Sequence, residues 1–165
     1  ALSNILKLDN SKILKVVNGF KGLNYRQQIV YNKKKFLIIN DSKSTSFSST
    51  VPLLQSYENI YWILGGLAKK GDKLNLNKKY FKKIKAYIYG TNKAFFLNVL
   101  KNKCRLHSSK NLKDILSKLF LDIKKNKNGK KTILFSPAAA SFDQFKNFEE
   151  RGRYFNQLLK KYINA

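Results

Sequence analysis

The sequence predicts an α/β domain built on a mostly parallel sheet. Three observations carry this. Short runs rich in β-branched and aromatic residues alternate with longer amphipathic runs through most of the 165 residues. Two short runs, Ile60 to Leu64 and Ile133 to Phe135, are apolar without a break, the pattern of strands covered by helices on both faces. Glycine or proline stands at the exits of three runs, at Gly65-Gly66, Gly90 and Pro137.

The elements follow in order. Residues 1 to 20 read as helical. Ile5, Leu6 and Leu8 precede a cap-rich break at Asp9-Asn10-Ser11, and Ile13, Leu14, Val16 and Val17 form a second apolar face. Twenty residues are too few to bury a core, so this piece reads as the tail of something else. Gly19, Gly22 and Asn24 mark a loop, and a domain boundary is expected near residues 20 to 27. Strands are expected at 27 to 31 and 36 to 40, split by a turn at Asn32 to Lys35. A helix runs through Leu53 and Leu54. Strands then fall at 59–64, 85–89, 104–107 and 132–136. Helices fall near 77–84, 93–101, 110–124 and 148–162. Lys124 to Lys131 reads as a lysine/asparagine loop.

Composition narrows the function classes. Lys plus Arg number 34 against 9 Asp plus Glu, a formal charge of +25, yet 43% of residues are hydrophobic and 13% aromatic. That excludes a disordered basic tail. One cysteine, Cys104, excludes an internal disulfide framework, and one histidine, His107, excludes a multi-histidine metal site. Both read as packing residues. The longest apolar runs fall far short of a membrane span, and the N-terminus has no basic-then-apolar leader. The expectation is a soluble protein of a reducing compartment, with no membrane partner. Only four of the basic residues are arginine, and the lysines are scattered. A solvated lysine-rich surface and a field that collects anionic ligands are both open readings. The second includes a lysine-rich nucleic-acid-binding module, although clustered arginine is the usual mark of a specific reader.

Ligands in parallel sheets bind beyond the carboxyl ends of the strands. Three uncommon segments fall there: Asn40 to Ser46, Gly65 to Gly71 and Ser136 to Phe145. They put Asp41, Lys43, Thr45, Lys69 and Ser141 on one rim, where hydroxyls and ammoniums suit a small carboxylate or phosphate. Each has a plainer reading beside it. Asp41 and Ser42 also suit a helix cap, Gly65-Gly66 a tight strand exit, Lys69 an ordinary surface lysine, and Ser141 a cap with Gln144. Asn147 with Glu150 is preferred as the cap of the last helix, which leaves Ser141 and Phe142 in a loop. Gly152 inside that helix costs about 1 kcal/mol against alanine, which points to close packing. Gly129-Lys130-Lys131-Thr132 lacks the preceding glycine and the following helix of a phosphate-cradling loop.

Four stretches resemble the Mur ligase family, the ATP-dependent amide ligases of peptidoglycan precursor synthesis. They are GLNYRQQ at 22–28, INDSKSTS at 39–46, WILGG at 62–66 and LFSPAAASFDQFKNFEERG at 134–152. The Asn-Asp-Ser-Lys start is similar to the branch that adds D-glutamate to UDP-N-acetylmuramoyl-L-alanine through an acyl phosphate. The resemblance implies a Rossmann-like sheet over residues 23–165 and, over 1–22, the helical end of an ATP-binding central domain. It implies that the N-terminal domain and most of the central domain are missing, so that the chain alone is inactive. Carried over by position, Thr45, Lys69, Ser141 and Phe148 match residues that hold D-glutamate, with Phe142 acting through its backbone. Asp41 would accept from the ATP ribose, Arg26 would touch phosphate, and Lys43 would face the reacting phosphoryl group as the catalytic lysine. ATP and Mg2+ are implied for the complete enzyme, with the metal ligands in the missing central domain and none here. The implied partners are D-glutamate, ATP, UDP-N-acetylmuramoyl-L-alanine and the missing domains, with no specific nucleic acid. Tyr25 stands where the family usually has histidine, and Lys70 is the substitute if the register of Lys69 slips by one.

Overall fold

A computed structural model describes residues 6, 8–33, 35–126 and 129–163. Its first element is helix α1 (Asn10–Gly19), capped by Asp9, whose side chain accepts from the Ser11 amide at 2.8 Å. No residue of α1 is buried; Leu14, Val16 and Val17 all face solvent. The helical stretch expected before it falls largely on residues 1–5 and 7, outside the described residues.

Strands β1 (Gln28–Lys33) and β2 (Phe36–Asn40) form an antiparallel hairpin. The first strand runs two residues past the expected Tyr31. Asn32 and Lys33 find ladder partners in Leu37 and Phe36, which satisfies backbone groups that a longer turn would leave to water. The other strands are β3 (Ile60–Gly65), β4 (Ile84–Tyr89), β5 (Arg105–Ser108) and β6 (Lys131–Phe135). The sheet order is β1-β2-β6-β3-β4-β5, parallel from β2 onward.

The remaining helices are α2 (Phe47–Ser56), α3 (Lys78–Phe81), α4 (Lys93–Leu100), α5 (Leu112–Lys125) and α6 (Phe148–Ile163). The helix expected at 77–84 is shortened to the four residues of α3. Asn77 does cap it, accepting from the Lys79 amide at 3.1 Å. However, Ile84 pairs with Ile60, and the Lys83 carbonyl accepts from the Ile60 amide at 2.8 Å. Strand pairing therefore takes the residues that the helical pattern claimed. At the other end, α5 reaches Lys125; of the expected loop at 124–131, residues 127 and 128 lie outside the described residues.

Two apolar layers sandwich the sheet. Ile39, Trp62, Leu64, Ala86, Ile88 and Leu134 face one cluster, shared with α2, α3 and α4. Ile38, Tyr61, Ile63, Tyr87, Ile133 and Phe135 face the other, shared with α5 and α6. The period-two alternation explains why β3 is buried along its whole length. The split between faces follows from topology. The chain steps outward from β2 through β3 and β4 to β5 with α2, α3 and α4 as its crossings. It then returns from β5 to β6, and a return in the opposite direction keeps the same hand only by placing α5 on the other face.

Candidate functional site

The reversal of strand order falls at β6, between β2 and β3, and there the loops after all three strands meet. The Asp41 amide donates to the Phe135 carbonyl at 2.7 Å, and the Gly65 amide to that of Pro137 at 2.9 Å. Leu67 and Ala140 exchange two backbone hydrogen bonds, at 3.0 and 2.9 Å. This close approach explains Gly65 and Gly66. Their φ angles are +138° and +129°, and a Cβ on either would collide with a carbonyl oxygen, of Tyr89 or of Ala140. The plainer reading of the glycine pair, a tight strand exit, is what the backbone displays.

Asp41 is buried at the end of β2. One carboxylate oxygen accepts from the Gln27 amide at 3.1 Å and the other from the Ser136 hydroxyl at 2.9 Å. Burial nevertheless holds the acid above its ordinary pKa, outweighing these donors and the nearby Arg26. Asp41 does not cap the next helix. Ser46 and Ser49 form the capping box of α2, and the Asp72 carboxylate accepts from the Phe47 amide at 2.7 Å. Arg26, Asp41 and Lys43 line one cavity of about 420 Å³, with Phe20 and Leu23 along its apolar side. The Lys43 ammonium lies 4.2 Å from the centre of the Phe148 ring, which holds the lysine over the start of α6.

Besides Phe148, four sequence-predicted residues do not line that cavity. Thr45 and Lys69 are exposed, as is Lys70. Ser141 is buried at a turn, its carbonyl accepting from the Gln144 and Phe145 amides. Phe142 is 70% exposed. All four leave the same edge of the sheet as Asp41. Asn147 is the cap of α6, its side-chain oxygen accepting from the Glu150 amide at 2.8 Å, so Ser141 and Phe142 are loop residues as expected. The Glu150 carboxylate reaches back to the Lys146 amide at 2.7 Å, one residue earlier than a standard box.

Arg151 escaped the sequence reading. Its guanidinium is wholly buried and donates to the Ser42 hydroxyl at 3.0 Å, the Ser42 carbonyl at 2.7 Å and the Ala139 carbonyl at 3.0 Å. The Ser42 hydroxyl in turn donates to the Phe148 carbonyl at 2.8 Å. One side chain thus staples the loops after β2 and β6 to the first turn of α6. The signal was present: Arg151 falls on the apolar stripe of Phe148, Phe155 and Leu159, where a cation needs a reason. Ser136 was also missed; besides Asp41, its hydroxyl meets Thr50 at 2.8 Å, and its carbonyl accepts from the Trp62 indole at 2.8 Å.

His107 and Cys104 are packing residues. His107 stacks on Tyr87 and lies 2.9 Å from Asp122, yet burial holds its pKa below the usual value. Burial pushes the Cys104 thiol up to about 11, so it is protonated and inert. Among the described residues, no three His, Cys, Asp or Glu side chains gather where they could hold a metal ion. None of the described helices is long and apolar enough to cross a membrane.

No family model matches the chain. Curated relatives do. It is 38% identical over 161 residues to the UDP-N-acetylmuramoylalanine–D-glutamate ligase of Wolbachia sp. subsp. Brugia malayi (strain TRS), covering 98% of this chain and 32% of that protein. The chain is homologous to part of this ligase. The ligase of the same name from Rickettsia prowazekii (strain Madrid E) is 37% identical over 163 residues, 98% of this chain and 36% of its own length. That from Rhizobium meliloti (strain 1021) is 36% identical over 148 residues, 90% of this chain and 32% of its own. The chain spans about a third of the length of these ligases.

Proposed function

We propose that this chain is the C-terminal part of a UDP-N-acetylmuramoyl-L-alanine–D-glutamate ligase, the part that holds D-glutamate and closes over ATP. The observation that carries the reading is the match to those ligases along nearly the whole chain, with the three matching loops leaving adjacent strand ends. The reaction is that of the longer protein. ATP phosphorylates the substrate carboxylate, the amine of D-glutamate attacks the acyl phosphate, and phosphate leaves as the amide forms. Two anions must be held against each other, so positioned cations and fixed donors supply the chemistry.

In this reading Arg26 meets phosphate, Asp41 accepts from the ribose, and Lys43 faces the phosphoryl group being transferred. The cavity they share and the ring beneath Lys43 support that division. Thr45, Lys69, Ser141 and Phe148 hold D-glutamate, with Phe142 offering its backbone. Lys69 pairs with a ligand carboxylate; Thr45 and Ser141 donate hydrogen bonds. Mg2+ neutralises phosphate charge in such reactions, but the described residues do not fit a metal site, and no step here runs through it. Residues 1–22 belong to the preceding ATP-binding domain and 23–165 form the C-terminal domain. The exposed Leu14, Val16 and Val17 of α1 support that boundary, because an apolar helix face needs a cover. The ligase works in the cytoplasm.

The test is phosphate release. The chain mixed with ATP, UDP-N-acetylmuramoyl-L-alanine and D-glutamate should release none above background. Turnover by the chain alone would refute the partial-enzyme reading. In a complete ligase carrying this segment, Lys69→Ala should raise the apparent KM for D-glutamate at least about tenfold, the scale of one lost charge-assisted bond. An unchanged KM would remove Lys69 from the site.

A further inference from the structure

We propose that Gly152 is a positioning residue: its bare backbone seats the Tyr25 ring, and this contact holds residues 24–28 so that Arg26 and the Gln27 amide reach Asp41. The purpose of the contact rests on the nucleotide reading above; its existence rests on geometry alone. Gly152 lies inside α6 and is buried. A Cβ there would stand 2.6 Å from Tyr25 Cγ and 3.0 Å from Cε1, closer than carbon atoms approach. Any other residue at 152 expels the ring.

What the ring holds is a strained segment. Tyr25 and Gln27 have φ angles of +62° and +49°, left-handed conformations that neither side chain favours. Such a backbone persists only when its surroundings dictate it. The Tyr25 amide donates to the Gln28 side chain at 3.2 Å, and the Gln28 amide group donates to Asn24 at 3.0 Å. The Tyr25 carbonyl accepts from the Lys43 amide at 3.0 Å, and the Gln27 amide donates to Asp41 at 3.1 Å. The last two bonds join the segment to the loop after β2, and the Tyr25 ring seats it against α6. The helix itself is fixed to the same strand end, since Asn40 donates to the Gly152 carbonyl at 2.9 Å. Segment, strand end and helix therefore meet at one point, and a side chain at 152 separates them. Without the ring, the left-handed turn relaxes, the Gln27 amide leaves the carboxylate, and Arg26 leaves the cavity wall.

The test uses the whole chain with Gly152→Ala, Tyr25→Ala and Tyr25→His. Carbon-detected NMR follows the Asp41 carboxyl through a pH titration, and ATP is the binding probe. Gly152→Ala and Tyr25→Ala should each displace the Asp41 midpoint by about one pH unit, the scale of one lost bond to a carboxylate. Each should also weaken ATP binding about tenfold. Tyr25→His keeps a flat ring over Gly152 and should leave both readouts near the parent. A merely structural role would lower the melting temperature and leave the Asp41 midpoint in place. An unchanged midpoint in Tyr25→Ala overturns the proposal, and that variant decides the question if Gly152→Ala fails to fold. Absence of ATP binding in the parent chain would leave the nucleotide reading to be judged in the complete ligase, while the Asp41 titration would still judge the contact.

Discussion

Replacing Arg151 with methionine tests whether one buried cation staples the strand-end loops. Methionine fills most of the volume, so the packing loss is small. The polar loss is not. The Ser42 and Ala139 carbonyls each lose a donor in a site closed to water, and the Ser42 hydroxyl loses one as well. An orphaned buried acceptor costs about 1–3 kcal/mol, so two carbonyls give about 2–6 kcal/mol. Relief from burying a guanidinium offsets part of this. A net loss of about 3 kcal/mol is expected. Urea unfolding measures it directly, as a lower midpoint with an unchanged slope. Arg151→Lys should recover little, because one ammonium cannot match the fork that reaches both loops. If Arg151→Met unfolds within about 0.5 kcal/mol of the parent, a spread usual for harmless surface changes, the guanidinium holds nothing together and the stapling argument fails.

Three more outcomes follow from the geometry. Asp41→Asn keeps an acceptor for the Gln27 amide and removes a carboxylate that burial disfavours, so stability at pH 7 should not fall while ATP binding by the complete ligase should. A clear loss of stability in urea unfolding would contradict this. Because the folded pKa of Asp41 is raised, the parent should also gain stability from this group as pH falls through that value, and the Asn variant should lack the gain. For His107 the sign is opposite. Its folded pKa is lowered by burial, so its contribution is complete above the unfolded value near 6.5 and is lost as pH falls toward the folded one. Unfolding curves between pH 5 and 8 should show that loss in the parent and not in His107→Gln; parallel curves would refute it. Finally, Gly65→Ala should cost about 3 kcal/mol or more, since a Cβ meets the Tyr89 carbonyl, whereas Gly71→Ala, in open space at φ +75°, should cost about 1 kcal/mol. Equal melting temperatures for the two would argue against the close approach at the β3 exit.

Local pattern was enough to place most elements within a residue or two, because their apolar periodicity is strong and β3 and β6 are covered on both faces. The helix at 77–84 failed for a reason outside its own window: Ile60, more than twenty residues earlier, claims Ile84 as a strand partner. The site divides in the same way. That Asp41, Lys43 and Ser141 lie at the carboxyl edge of the sheet was legible, because they stand in loops that leave strands at that edge. Arg151, Ser136 and the seat of Tyr25 on Gly152 were not, since each depends on a partner brought close only by the sheet.

The sequence by itself determined the α/β class, the absence of a disulfide framework and the three strand-exit loops, since composition and periodicity are local properties of the chain. Tertiary structure alone decided that β6 inserts between β2 and β3, that a buried arginine ties their loops, and that Arg26 shares a cavity with Asp41 while Lys69 stands apart on the surface. Those outcomes depend on contacts between residues distant in sequence, and packing and burial select such contacts only once the whole sheet has formed.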